Sequence, residues 1–168
     1  RWGNAFSATP SDSLGNTPLA KGLGFTISAR GAQMWLDPDH PCALAPGKRP
    51  RLTPNPALAM RDGKVFMPFG TPGGDGQTHT IVQVLNNIQL FGMSPQEAID
   101  APRLRRLGDG SLAIEDRVPQ EVRDALEARG YTVHARSGWT AEFGGAPAVL
   151  GGTAASPAPA ARPPRSAM

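Results

Sequence analysis

Residues 65–77, Val-Phe-Met-Pro-Phe-Gly-Thr-Pro-Gly-Gly-Asp-Gly-Gln, decide how this chain is read. A short apolar run ends at Phe69, and the stretch after it, GTPGGDGQ, carries glycine at positions 70, 73, 74 and 76. Glycine has no Cβ, so successive backbone N–H groups stay uncovered. Amides aimed at one point can hold a phosphate, a carboxylate or the oxyanion of an acyl-transfer intermediate. From Thr78 to Phe91 apolar residues recur at helical spacing (Ile81, Val84, Leu85, Ile88), which puts those amides near a helix N-terminus. The same turn also serves as a close strand-to-helix connection.

Working outward, Pro56–Met60 and Val65–Phe69 flank Asp62-Gly63, a hairpin signal. After the helix stop at Gly92, Ser94-Pro95 with Glu97 starts a second helix, Ser94 capping it and Pro95 fitting the first turn. Leu112–Ile114 reads as a strand, and Pro119–Arg129 as an amphipathic helix with Val122, Ala125 and Leu126 inward and Gly130 as its stop. Tyr131–Ala135 and Ala146–Leu150 read as strands. Upstream, Trp2–Ala8 reads as a strand entered through Gly3-Asn4, Thr9–Leu23 as a loop, Gly24–Leu36 as a strand pair around Arg30-Gly31, and Asp37–Arg51 as turns. Residues 151–168 reduce almost to Gly, Ala, Ser, Pro and Arg, without the apolar surface needed to offset ordering, and are expected to be disordered.

A length of 168 residues suits one domain, and 20 glycines with 18 prolines exclude an all-helical bundle in favour of a turn-rich α+β protein. The net charge is +3, but the basic residues are dispersed. The tightest groups, Lys48-Arg49-Arg51 and Arg103-Arg105-Arg106, have no aromatic platform or reading helix, which argues against nucleic acid. Cys42 is the only cysteine, so an intrachain disulfide is excluded and the compartment stays unknown. No apolar run is long enough to cross a bilayer.

The glycine loop does not stand alone. Taken with Pro46–Leu58 (PGKRPRLTPNPAL), Gly3-Asn4-Ala5 and Gln96–Arg103 (QEAIDAPR), it falls in an order that resembles the small subunit of the gamma-glutamyltransferase family, among the N-terminal-nucleophile hydrolases, over residues 1–150. The resemblance implies part of an αββα sandwich, autoprocessing of a precursor, a large-subunit portion of that precursor as partner, and no cofactor. The implied reaction is acyl transfer from a γ-glutamyl amide, such as a glutathione-like donor, to water or an amine. In that family the small subunit begins with a nucleophilic threonine on a short strand, and this sequence starts at Arg1, after that strand. The expectation is therefore a chain that is inactive alone. An acylase for another amide, such as a β-lactam side chain, and a noncatalytic scaffold or assembly fragment are the alternatives.

Carried over residue by residue, the resemblance makes the Gly73 and Gly74 amides the oxyanion donors. It sets Ser11 where a threonine hydrogen-bonds the nucleophile, and Ser13 where an asparagine contacts the acyl group. Ser11 keeps a hydroxyl, whereas Ser13 loses an amide's fork. Two adjacent serines that grip the α-carboxylate are replaced by Leu52-Thr53, so only Thr53 retains a hydroxyl. Asp37 and Asp39 fall where acidic or amide groups bind the α-ammonium, and Asp-Pro pairs also make ordinary turns. His40 lacks a positioned nucleophile and reads as a turn residue, and His79, His134 and Cys42 have no metal-site spacing.

Overall fold

The computed structural model describes residues 4–10, 17–146 and 148. The chain divides into two compact units, one formed by Arg1–Thr9 with Asn55–Met168 and the other by Pro10–Pro54.

In the first unit, strands β1 (Ala57–Arg61) and β2 (Lys64–Phe69) form an antiparallel hairpin. Asp62 and Gly63 both take positive φ, 50° and 73°, as the primed turn that matches strand twist requires. A register shift between Ala59 and Met60 makes Ala59 pair with Met67 and Met60 with Val65. The buried side of the hairpin carries Met67 and Phe69, which pack with Ile81, Val84 and Ile88 of helix α1 (Gln77–Gln89), with Ala98 and with Ala146. Helix α2 (Pro95–Asp100) starts in a complete capping box: Ser94 Oγ accepts from the Glu97 amide, and the Glu97 carboxylate accepts from the Ser94 amide.

Strands β3 (Leu104–Arg106), β4 (Leu112–Glu115) and β5 (Val133–Arg136) form a second sheet with β4 in the middle, antiparallel to β3 and parallel to β5. All four residues of β4 are buried, as a central strand covered on both faces demands. Helix α3 (Gln120–Glu127) links β4 to β5 and ends before Gly130 at φ 91°.

Several expectations are met closely, among them the hairpin, α1, the capped α2 and β4. Others are corrected. Helix α3 fully buries none of its residues: of the three read as inward, Val122 is 44% exposed, Ala125 is exposed and Leu126 is half-buried. The stretch Gly24–Leu36 is not a strand pair. Ser28 caps a 3-10 helix at Ala29–Gln33, and extended pairing shrinks to the isolated bridges Leu19↔Thr26 and Trp35↔Ala43. Residues 4–8 form no strand; Ser7 Oγ instead donates to the Phe69 carbonyl at 2.9 Å. Strand β3 has no sequence signal of its own and forms because β4 offers a free edge. Of the strand expected at 146–150, Ala148 bridges Phe69, while Pro147, Val149 and Leu150 lie outside the described residues, as does the 151–168 tail. Among the described residues no helix is long and apolar enough to cross a membrane.

Candidate active site

Strand β2 delivers the chain into the glycine turn at a fixed point, because Met67 and Phe69 anchor its last turn of side chains in the core. The turn then reverses tightly. A Cβ on Gly70 would fall 2.9 Å from Thr9 Cγ2, and Gly73 and Gly74 have φ of 130° and 55°. These are conformations open to glycine and strained for most other residues. A short 3-10 turn, Gly74–Gly76, runs directly into α1 at Gln77.

Among the described residues neither the Gly73 nor the Gly74 amide donates to a backbone acceptor. Gly73 is half-buried and Gly74 exposed, and both amides stand at the start of a helical run. The positive end of the helix reinforces them. The Arg105 guanidinium adds charge nearby: Nη1 donates to the Glu142 carbonyl at 3.3 Å, and a Cβ on Gly76 would lie 3.2 Å from the same nitrogen.

The loop is buttressed by the segment after the 3-10 turn Ala141–Phe143. Thr80 Oγ1, on α1, donates to the Phe143 carbonyl at 2.9 Å. Thr71, almost fully buried, receives the Gly145 and Ala146 amides on its hydroxyl at 3.1 and 3.2 Å and donates to the Pro72 carbonyl at 2.7 Å. Gly144 must be glycine here, since a Cβ would press onto Thr71 Oγ1 and come 2.6 Å from the Pro72 oxygen. Arg103 completes the support, donating to the Ile99 carbonyl at 3.0 Å and to the Gly144 carbonyl at 3.4 Å. Its guanidinium is buried beside Glu115, with Nε and Oε1 3.9 Å apart, and Arg117 donates to the other Glu115 oxygen. Burial pulls the Arg103 pKa below its ordinary value, and the Glu115 carboxylate opposes that pull.

The remaining expected site residues are distributed as follows. Gly73 and Gly74 lie in the first unit. Asp37, Asp39 and Thr53 lie in the second. Ser11 and Ser13 lie outside the described residues. Asp37 and Asp39 come together within one exposed turn, in which Asp37 Oδ1 accepts from the Asp39 amide at 3.0 Å. Thr53 is half-buried and its hydroxyl accepts from Arg30 Nη1 at 3.4 Å; the adjacent Leu52 is exposed. His40 serves its turn, with Nδ1 accepting from the Cys42 amide at 3.0 Å and the ring stacked on Trp35 at a centroid separation of 4.4 Å. Lys48 closes the same region by donating to the Pro41 carbonyl at 2.8 Å. Among the described residues there is no group of three or more His, Cys, Asp or Glu that could hold a metal. Sequence reasoning missed Thr71, Thr80, Arg103 and Gly144. The Thr-Pro ahead of Gly73 and the Gly144-Gly145 pair were the available signals for two of them.

The architecture matches that of N-terminal-nucleophile hydrolases. Gamma-glutamyltranspeptidase from Helicobacter pylori, solved as a point mutant, superposes with a TM-score of 0.79 at 29% identity, covering 89% of this chain and 86% of that one. Cephalosporin acylase from Bacillus halodurans superposes with a TM-score of 0.67 at 34% identity over 73% of this chain and 23% of its own. The chain belongs to the gamma-glutamyltranspeptidase family, whose model matches residues 1–166. An oxamate amidohydrolase proenzyme of Klebsiella pneumoniae is 38% identical over 82% of this chain and 27% of its own length, and a glutathione hydrolase-like proenzyme of Bacillus subtilis is 31% identical over 81% and 27%. The chain thus spans about a quarter of the length of the curated relatives it matches.

Proposed function

We propose that this chain carries the oxyanion-stabilising half of an amide acyl-transfer site. The observation that supports this reading is the pair of amides at Gly73 and Gly74, which donate to no backbone acceptor among the described residues and open a helical run in a member of the gamma-glutamyltranspeptidase family. A tetrahedral intermediate develops its charge on the former carbonyl oxygen. Preorganised amides receive that charge without reorganising, an effect worth roughly 10²–10³-fold in rate per donor. The attacking threonine is supplied by the rest of the precursor, in keeping with relatives that are proenzymes of greater length. Its own α-amine serves as base. Ser11 steadies the nucleophile, Ser13 and Thr53 contact the acyl group, and Asp37 and Asp39 receive a substrate ammonium. The reaction is transfer of a γ-glutamyl group to water or an amine.

A second reading has a specific observation in its favour. Leu52 stands where a serine would grip an α-carboxylate, and the relatives include an oxamate amidohydrolase and acylases. On this reading the donor is a different amide. The deciding experiment assays the full-length protein with a chromogenic γ-glutamyl anilide, oxamate and a cephalosporin side-chain amide, before and after Leu52→Ser. A lowered KM for the γ-glutamyl donor in the variant supports the carboxylate pocket. Turnover of oxamate or the cephalosporin amide alone supports the acylase reading, and no turnover of any amide by the processed protein overturns both.

A further inference from the structure

We propose that Thr71 is a positioning residue for the oxyanion loop, acting through the Pro72–Gly73 peptide unit; the proposal rests on the acyl-transfer reading above. A trans peptide is planar, with its C=O and N–H pointing in opposite directions. Whatever fixes the Pro72 carbonyl therefore fixes the Gly73 N–H. The Thr71 hydroxyl donates to that carbonyl at 2.7 Å, and the segment at Gly144 closes on the same oxygen from outside. The Gly73 N–H is directed the other way, where it meets no backbone acceptor among the described residues.

The hydroxyl is itself immobilised. It has one hydrogen to donate and two lone pairs to accept with, and all three are used: the proton on Pro72, the lone pairs on the Gly145 and Ala146 amides. Because those two amides already occupy the acceptor sites, the proton has only the Pro72 carbonyl to point at. Burial to 2% exposure keeps water from competing. The need is real, because Gly73 at φ 130° has no side chain to hold its orientation and no intrinsic preference for it. A buried threonine that merely filled space would be served equally well by valine, which has the same shape; the three hydrogen bonds require oxygen.

The test compares Thr71→Val, which keeps shape and loses the hydroxyl, with Thr71→Ser, which keeps the hydroxyl, in the full-length protein. Three readouts are taken: kcat and KM for the amide that the wild type turns over, processing into subunits, and hydrogen exchange at the Gly145 and Ala146 amides. The expected result is a kcat about 30-fold lower in Thr71→Val, short of the loss from removing an oxyanion donor outright. KM stays within about two-fold, because ground-state binding is not what a misdirected oxyanion donor weakens. Thr71→Ser restores kcat to within about three-fold and keeps the two amides protected. A Thr71→Val enzyme with wild-type kcat, or a Thr71→Ser enzyme as slow as Thr71→Val, overturns the proposal. Unchanged exchange at Gly145 and Ala146 in Thr71→Val also overturns it, whether or not the wild type is active. If the processed wild type turns over no amide, the acyl-transfer reading is what has failed, and the exchange data alone decide whether Thr71 orients the loop.

Discussion

The two units of the chain are ordered by different means. In the unit that carries the glycine loop, Met67, Val84, Ile88 and Ala98 are at 1% exposure or less and form a shared core between hairpin and helices. In the Pro10–Pro54 unit, Ala43 is the buried apolar residue among those described, and Leu19, Leu23, Phe25, Ile27, Trp35, Leu36, Leu44 and Leu52 are all exposed. Its shape is set by turns and side-chain-to-backbone bonds: Asp37 onto Asp39, His40 onto Cys42, Lys48 onto Pro41. Burial orders one region and local hydrogen bonding the other. The glycine loop, proposed above to hold an oxyanion, sits in the region with a core.

The largest break in that contrast is expected from Met67→Ala. Removing a fully buried side chain leaves a cavity and costs about 2–5 kcal/mol, read as a lowered denaturation midpoint of the full-length protein. A loss under about 1 kcal/mol would show that the hairpin-to-helix core is not what holds this unit. Gly144→Ala comes next, at about 1–3 kcal/mol, since the new methyl meets the Pro72 carbonyl and the residue sits at φ 76°. Its stability loss should come with lowered activity, because the displaced atoms belong to the loop; wild-type activity would separate Gly144 from the site.

Smaller is the loss of the α2 cap. Ser94→Ala removes a side-chain acceptor from the Glu97 amide and is expected to cost about 1 kcal/mol. The capping box also gives a sign for pH. The Ser94 amide, and secondarily its hydroxyl, hydrogen-bond the ionised Glu97 and hold its carboxyl below the ordinary 4.5. A depressed folded pKa contributes stability that is complete above that ordinary value and is lost as the pH falls below it. Glu97→Gln should therefore flatten the acid side of a stability profile, and an unchanged profile would assign the acid sensitivity elsewhere.

The smallest effect sharpens the comparison from the other side. Trp35→Ala removes the stack on His40 from a half-exposed position and should cost about 0.5–1 kcal/mol, confined to the Pro10–Pro54 unit in a residue-resolved exchange experiment. Amides at 17–54 should exchange faster than those of α1 in the wild type, because few of them lie under buried apolar surface. Equal protection would mean that the exposed apolar side chains of this unit are covered by another part of the full-length protein.

Where a local rule had a single physical solution, the sequence by itself determined the structure. Asp62-Gly63 signalled a hairpin, and its turn takes positive φ at both residues; Ser94-Pro95 with Glu97 signalled a capped helix start, and the spacing of Ile81, Val84 and Ile88 signalled a helix whose apolar face is buried. The glycines at 73 and 74 likewise announced uncovered amides, and their order with the flanking motifs announced the family. Tertiary structure decided the rest, because it depends on partners distant in the chain. Strand β3 exists through pairing with β4, α3 leaves Val122 and Ala125 exposed among the described residues, and Gly24–Leu36 gave up strand pairing for a capped 3-10 turn. The support of the loop is of the same kind. Thr71 meets amides 74 and 75 residues away, and Arg103 meets the Gly144 carbonyl 41 residues away. No spacing rule reaches across such separations; only the packing of β2, α1 and the 141–146 segment brings those groups within hydrogen-bond distance.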